Sequence, residues 1–180
     1  MITKREVKGI FFYLSFLFWG RRVYQFQHLS GRVLLARGIV QKVFRINAHV
    51  PWPVHFTTQV LCPEKIEIGS RTPGGAMGCF IDGRNGIKIG HNVWIGPRVT
   101  IISQDHENDN FNNYKIEDPI SIGSNCILCT NAIILPSVKL GEHTIVAAGA
   151  IVTRSFPEGN VILAGNPAKV VRKLKSYSGK

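Results

Sequence analysis

Six histidines occur in this 180-residue chain, and one of them sits among groups that could tune it. His106 lies in the polar run Ser103–Asp118 (SQDHENDNFNNYKIED), with Asp105, Glu107 and Asp109 close by. Imidazole titrates near pH 6.5, so it can take up and return a proton at neutral pH. A neighbouring carboxylate would hold one tautomer and raise the basicity of the ring, as a general base requires. No Ser or Cys stands in a nucleophile motif, so no covalent intermediate is expected. Cys126-Ile-Leu-Cys129 has metal-like spacing, but no second such pair or histidine cluster accompanies it, and no metal is expected. Gly74-Gly75 is not followed by the Gly-Lys-Ser/Thr of a phosphate loop.

The elements that must carry His106 are written in sixes. An aliphatic residue recurs at Ile122, Leu128, Ile134, Leu140, Val146 and Val152, and earlier at Ile89, Ile95 and Ile101. The fifth position after each is small or β-branched: Val93, Val99, Cys126, Ala132, Val138, Thr144, Ala150. The second is often Gly (Gly90, Gly96, Gly123, Gly141), expected where φ turns positive. Neither a helix of period 3.6 nor a lone strand of period two repeats in this way. A short strand, a corner and another short strand do. Three sides close a coil of about 18 residues, and stacked coils place parallel strands about 4.8 Å apart, each coil covering the apolar face of the next. The rhythm breaks between Ile101 and Ile122, and the polar run with His106 fills the break. A loop leaving a rigid scaffold is a common place to display functional groups. His91 and His143 fall in hexad turns, and Cys126 and Cys129 on repeat positions that core packing explains.

These hexads, with Thr100-Ile-Ile-Ser-Gln-Asp-His106, Val146-Ala-Ala-Gly-Ala-Ile-Val-Thr-Arg154 and Ala164-Gly-Asn-Pro-Ala-Lys169, resemble the hexapeptide-repeat acyltransferases, in particular the trimeric sugar and polysaccharide O-acetyltransferases. The resemblance runs from about Ile66 to Leu174. It implies a left-handed parallel β-helix, a homotrimer, acetyl-CoA as cosubstrate and His106 as the catalytic base of a direct transfer, with a backbone N–H for the oxyanion. It also implies CoA contacts at Thr130, Ala148, Thr153 and Arg154, and phosphate contacts at Lys169 and Arg172. Lys169 stands where relatives often have Arg, which removes the bidentate fork. In galactoside- and maltose-type relatives an acceptor-binding Asn precedes the histidine by about 30 residues; here Ala76-Met77-Gly78 occupies that place. Asp82 and Asn85 are candidates for acceptor hydroxyl contacts or for turn formation, and His55 could line the acceptor pocket.

The net charge of +11 is uneven: residues 1–49 hold nine Lys/Arg and one Glu. Ile10–Trp19 (IFFYLSFLFW) is almost continuously apolar yet too short to span a bilayer, which takes roughly 20 residues as a helix. Arg21-Arg22 follow at once with no cleavage site, which argues against a secretory signal. The segment either packs on the first coils or between subunits, or lies on an anionic membrane surface. No nucleic-acid module is present, and no nucleic-acid partner is expected.

The organisation expected is an N-terminal helical segment over 1–50, an all-β repeat domain over 54–168 with the loop 103–118, and a C-terminal cap over 169–180 formed by a short helix. The function expected is acetyl-CoA-dependent O-acetylation of a sugar or surface-polysaccharide precursor by a cytoplasmic protein, with peripheral inner-membrane contact. N-acetylation of an amino-sugar and a non-catalytic β-helix scaffold are the alternatives.

Overall fold

The computed structural model describes residues 9–179. Among the described residues, fourteen short strands form three sheets that wrap one core. The first sheet stacks β1 (Gln59–Leu61), β3 (Phe80–Asp82), β6 (Thr100–Ile102), β9 (Ile133–Ile134) and β12 (Ile151–Val152). The second stacks β2 (Ile66–Ile68), β4 (Ile87–Ile89), β7 (Ile120–Ile122) and β10 (Lys139–Leu140). The third holds β5 (Trp94–Ile95), β8 (Ile127–Leu128), β11 (Thr144–Val146), β13 (Val161–Gly165) and β14 (Ala168–Lys173). All pairings but the last are parallel, so the molecule is a parallel β-helix.

In the coils from Ser121 to Val152 register partners are 18 positions apart, as Ser121 and Lys139 are; Ile89 instead pairs with Ile122 across the loop. The hexad code maps directly onto burial. Ile89, Ile101, Ile122, Leu128, Ile134, Leu140, Val146 and Val152 point into the core, as do the fifth-position residues from Val93 to Ala150. Ile95 is partly buried against the same core.

The second-position glycines have a different role from the one expected. Positive φ falls on the fourth position, at Asn92, Arg98, Asn125, Asn131, Ser137, His143 and Gly149; three of these are asparagine, which tolerates the left-handed region. Gly90, Gly123 and Gly141 are instead excluded volume. A Cβ on Gly123 would lie 2.7 Å from Glu142 N, and one on Gly141 would meet the Pro157 carbonyl. The stack closes only because these positions carry no side chain.

The N-terminal third is a helical hairpin. α1 (Ile10–Trp19) ends at Gly20, whose φ of 52° leaves the helical region. A 3₁₀ segment (Gly20–Phe26) leads to α2 (Gly31–Gly38), capped by Ser30, whose Oγ accepts the Val33 N–H. Past α2 the chain continues as one π turn, Ile39–Val43. Gly31 and Gly38 lie on the contact with α1, where a Cβ would collide with Phe12 backbone and the Phe18 ring. The buried Gln41 ties the hairpin to the coils. Its amide N–H groups donate to Asn47, Val50 and Trp52 carbonyls, and its Oε1 accepts from Val54 N. Such a fully satisfied buried amide fixes one arrangement.

The C-terminal cap differs from the expected short helix. Residues 168–173 form β14, antiparallel to β13, after a turn at Gly165-Asn166-Pro167 with φ of 98° at Gly165. The adjacent Val170-Val171 favour a strand, and the free edge of β13 supplies its hydrogen-bond partners. The chain beyond β14 turns back across the coils, where Tyr177 Oη accepts from Asn92 Nδ2.

Candidate active site

The loop after β6 folds back on itself as a small antiparallel hairpin. His106 bridges Tyr114, Glu107 N donates to Asn113 O, and Lys115 N donates to Asp105 O. The His106 ring lies 4.5 Å from the Tyr114 ring centroid. Its Nδ1 is 2.6 Å from the carbonyl oxygen of Phe111. A carbonyl can only accept, so Nδ1 carries the proton and Nε2 presents its lone pair outward. A backbone atom, rather than a neighbouring carboxylate, sets the tautomer. Asp105 accepts from the His106 backbone N–H at 2.8 Å, and Glu107 accepts from Asn113 Nδ2. The acids therefore shape the hairpin.

Asp82 and Asn85 lie beneath this hairpin. The Asp82 carboxylate is fully buried and takes Nε and Nη2 of Arg84 in a two-pronged pair, as well as the Arg84 backbone N–H. That grip holds the Arg84 guanidinium further into its charged form than usual. Arg84 in turn lies over the Tyr114 ring, 5.4 Å from its centroid. Asn85 Nδ2 donates to Lys115 O, its Oδ1 accepts from Gln104 Nε2, and its backbone N–H donates to Ser103 Oγ. Asn85 thus joins both ends of the loop to the coil below. The side-chain polar atoms of both residues are engaged with the chain itself. Phe111, Arg84 and Tyr114 were not singled out from the sequence. Their spacing from His106 becomes informative only once the polar run is known to be a hairpin.

The residues that the resemblance assigns to the cosubstrate fall into separate groups. Thr130 and Ala148 stand at the corner leading into the first sheet, one coil apart, with Gly149 N donating to Thr130 O at 3.0 Å. Thr153 and Arg154 follow β12, at the corner leaving that sheet, where Arg154 lies over Phe156. His106 is on this second side, after β6. Lys169 and Arg172 are exposed on β14, opposite Ala164 and Ile162. One chain therefore holds His106 and the Thr130–Ala148 pair at opposite edges of the same sheet.

Cys126 is buried, donating to Gly141 O, and burial raises its thiol. His55 is half-buried beside a cleft of about 250 Å³ lined by Val33, Val40, Val54 and Phe56.

The family model for the bacterial transferase hexapeptide (six repeats) matches residues 119–154. Galactoside O-acetyltransferase of Escherichia coli is 30% identical over 159 residues, covering 84% of this chain and 75% of that protein. A Saccharomyces cerevisiae relative is 38% identical over 98 residues, and the chain spans about half its length (49%). Among solved structures, a galactoside acetyltransferase in complex with coenzyme A is 28% identical with a TM-score of 0.55, covering 69% of this chain and 68% of that one. A maltose O-acetyltransferase from Clostridium difficile 630 shares the fold over 96% of this chain and 88% of its own, at 21% identity and a TM-score of 0.51. Repeat, coil geometry and relatedness over most of both sequences agree: the chain belongs to the hexapeptide-repeat acyltransferase family.

Proposed function

We propose that the protein is an acetyl-CoA-dependent O-acetyltransferase acting on a hydroxyl of a sugar or surface-polysaccharide precursor. The observation that carries this reading is the Nδ1–H···O=C bond from His106 to Phe111, which leaves Nε2 as a base. Nε2 removes the proton of the acceptor hydroxyl as its oxygen attacks the thioester carbonyl. The tetrahedral intermediate then collapses, expelling the CoA thiolate, which takes the proton back from the imidazolium. The products are the acetyl ester and free CoA. The related galactoside acetyltransferase structure contains coenzyme A, which supports the choice of donor.

Thr130, Ala148, Thr153, Arg154, Lys169 and Arg172 are the residues proposed to bind the donor. Because Thr130 and Ala148 lie across the sheet from His106, a second copy of the chain completes the site, and a homotrimer is the assembly proposed. The outer faces support it. Trp94, Ile127, Ile145 and Ile162 are register partners that form an apolar ladder on the third sheet, whereas the second sheet shows Glu67, Lys88, Ser121 and Lys139.

Peripheral attachment to the cytoplasmic side of an inner membrane is proposed on the surface of the hairpin. Among the described residues no helix is long and apolar enough to cross a membrane. Ile10, Tyr13, Leu17, Val43 and Phe44 are nonetheless exposed, beside Arg21, Arg22, Arg32, Lys42 and Arg45. An apolar face ringed by cations suits an anionic bilayer surface.

Titration with acetyl-CoA, followed by an acceptor screen with wild type and His106→Ala, tests the reading. The variant should bind acetyl-CoA normally and transfer nothing. Unchanged turnover would remove His106 as the base, and failure of the wild type to bind acetyl-CoA would favour a non-catalytic scaffold. Acetylation of an amine in preference to a hydroxyl would identify the N-acetyltransferase alternative.

A further inference from the structure

Where the hairpin meets the first coil, partly buried basic side chains stand without an acid. Arg37, on α2, donates from Nη2 to Gly75 O at 2.6 Å, while its Nη1 is buried and has no partner. His28, in the turn before α2, grips the same loop. Its Nε2 lies 3.1 Å from Thr72 Oγ1 and accepts from Thr72 N at 3.4 Å. Nε2 therefore bears the lone pair, and the ring proton sits on Nδ1, which is also buried and unpartnered.

Two buried donors thus face no acceptor, a condition native structures rarely leave unanswered. No Asp or Glu occurs from Gly9 to Pro63. Among the described residues, neither His28, Arg37 nor Arg71 has a carboxylate partner. The crowding is energetic as well as geometric: burial first, then Arg71 and Arg37, push His28 down to about 4. A Cβ built on Gly75 would touch Arg37 Nη1 at 3.5 Å, an ordinary contact, so a methyl-sized gap lies beside the guanidinium. Arg37 also lines the cleft of about 250 Å³ next to His55.

The loop continues directly into the corner that carries Thr130 and Ala148. Arg98 N donates to Met77 O, Asn131 N to Pro97 O, and Gly149 N to Thr130 O. At about 4.8 Å per coil, Met77 stands about 14 Å from Gly149 along this one edge.

We propose that His28 and Arg37 form an anion site that holds a phosphate or carboxylate carried by the acceptor, so that the substrate is a charged glycan rather than a neutral sugar. The assignment to the acceptor rests on the acetyl-transfer reading; the anion site itself does not. Thr72 serves as the positioning residue that fixes the His28 tautomer.

The test follows the His28 ring nitrogens by NMR in the full-length protein during titration with inorganic phosphate at constant ionic strength. The expected result is a saturable shift of the Nδ1 signal with a dissociation constant on the order of millimolar. Arg37→Lys keeps the charge but loses the fork, and should weaken binding about tenfold. His28→Gln, which retains a donor, should weaken it less. Glucose 1-phosphate, glucuronate and glucose are then compared. Tighter binding of the first names a phosphate, of the second a carboxylate. No His28 shift with phosphate, an Arg37→Lys variant that binds like wild type, or equal binding of all three sugars overturns the proposal. Loss of transfer in His106→Ala with phosphate binding intact would separate the two readings: the base would be established independently of the anion site. Phosphate binding in a protein that never binds acetyl-CoA would leave the anion site standing and remove its assignment to an acceptor.

Discussion

The carbonyl oxygen of Phe111 lies 2.6 Å from Nδ1 of His106, so a main-chain atom five residues along the loop decides which ring nitrogen is free. A carbonyl fixes direction without adding a negative charge beside the imidazolium. The acids around His106 should therefore matter far less than the ring.

Accordingly, Asp105→Asn and Asp109→Asn should each change kcat by less than about threefold, whereas His106→Ala should lower it by about 10²–10⁴, the usual worth of a general base. Steady-state kinetics on the three variants checks this. A loss in Asp105→Asn as large as that in His106→Ala would return the orienting role to a carboxylate.

Tyr114 supplies the surface against which the imidazole rests. Tyr114→Phe keeps the ring and should retain most activity. Tyr114→Ala should lower kcat at nearly constant KM, because the base loses its orientation while the donor contacts remain. A rise in KM alone would point instead to a substrate contact.

Gly141→Ala places a methyl group against the Pro157 carbonyl, and Gly96→Ala brings one to 3.0 Å from Thr130 N. Overpacking of this kind costs about 1–3 kcal/mol, or more where backbone must move. Thermal denaturation should rank wild type above Gly96→Ala and Gly96→Ala above Gly141→Ala. Equal midpoints would mean that the coils separate more easily than their register implies.

His28 links stability to pH. Its folded value, about 4, lies below the ordinary 6.5, so the unfolded chain binds the proton more readily. The contribution is present above about pH 6.5 and is lost as pH falls through about 4. His55 is lowered in the same direction by burial and by Arg37. Melting temperatures across this window should fall less steeply in His28→Gln than in wild type. Parallel curves would show that His28 is not protected from protons in the folded state.

How much of this was legible in the sequence depended on the range of the interactions. The inward residues from Ile122 to Val152 obeyed a local rule, because each hexad repeats one environment. The break that displays His106 was visible for the same reason, as a missing beat. The partners of His106 were hidden because Phe111 and Tyr114 reach it only when Asn108–Asn113 turns the loop back. Asp82 read equally well as a turn former or a ligand; its burial under Arg84 depends on a neighbour two residues away pointing in one direction. The strand at Ala168–Lys173 reads as a helix in the sequence, since its partner, the open edge of β13, exists only after the last coil has formed. His28 and Arg37 carried no motif, and their meeting depends on how the hairpin docks.

That final strand also governs growth. A stack of parallel coils presents the same unsatisfied edge at each end, and nothing in a six-residue rhythm says when to stop; such an edge can template another chain. Here the chain reverses after Pro167 and lays β14 antiparallel on its own last rung, with Lys169, Arg172 and Lys173 distributed along it. At the other pole, Gln41 and Trp52 seat the helical hairpin over the first coil. The rod is therefore terminated at both poles, which favours a particle of fixed length over an end-to-end fibre.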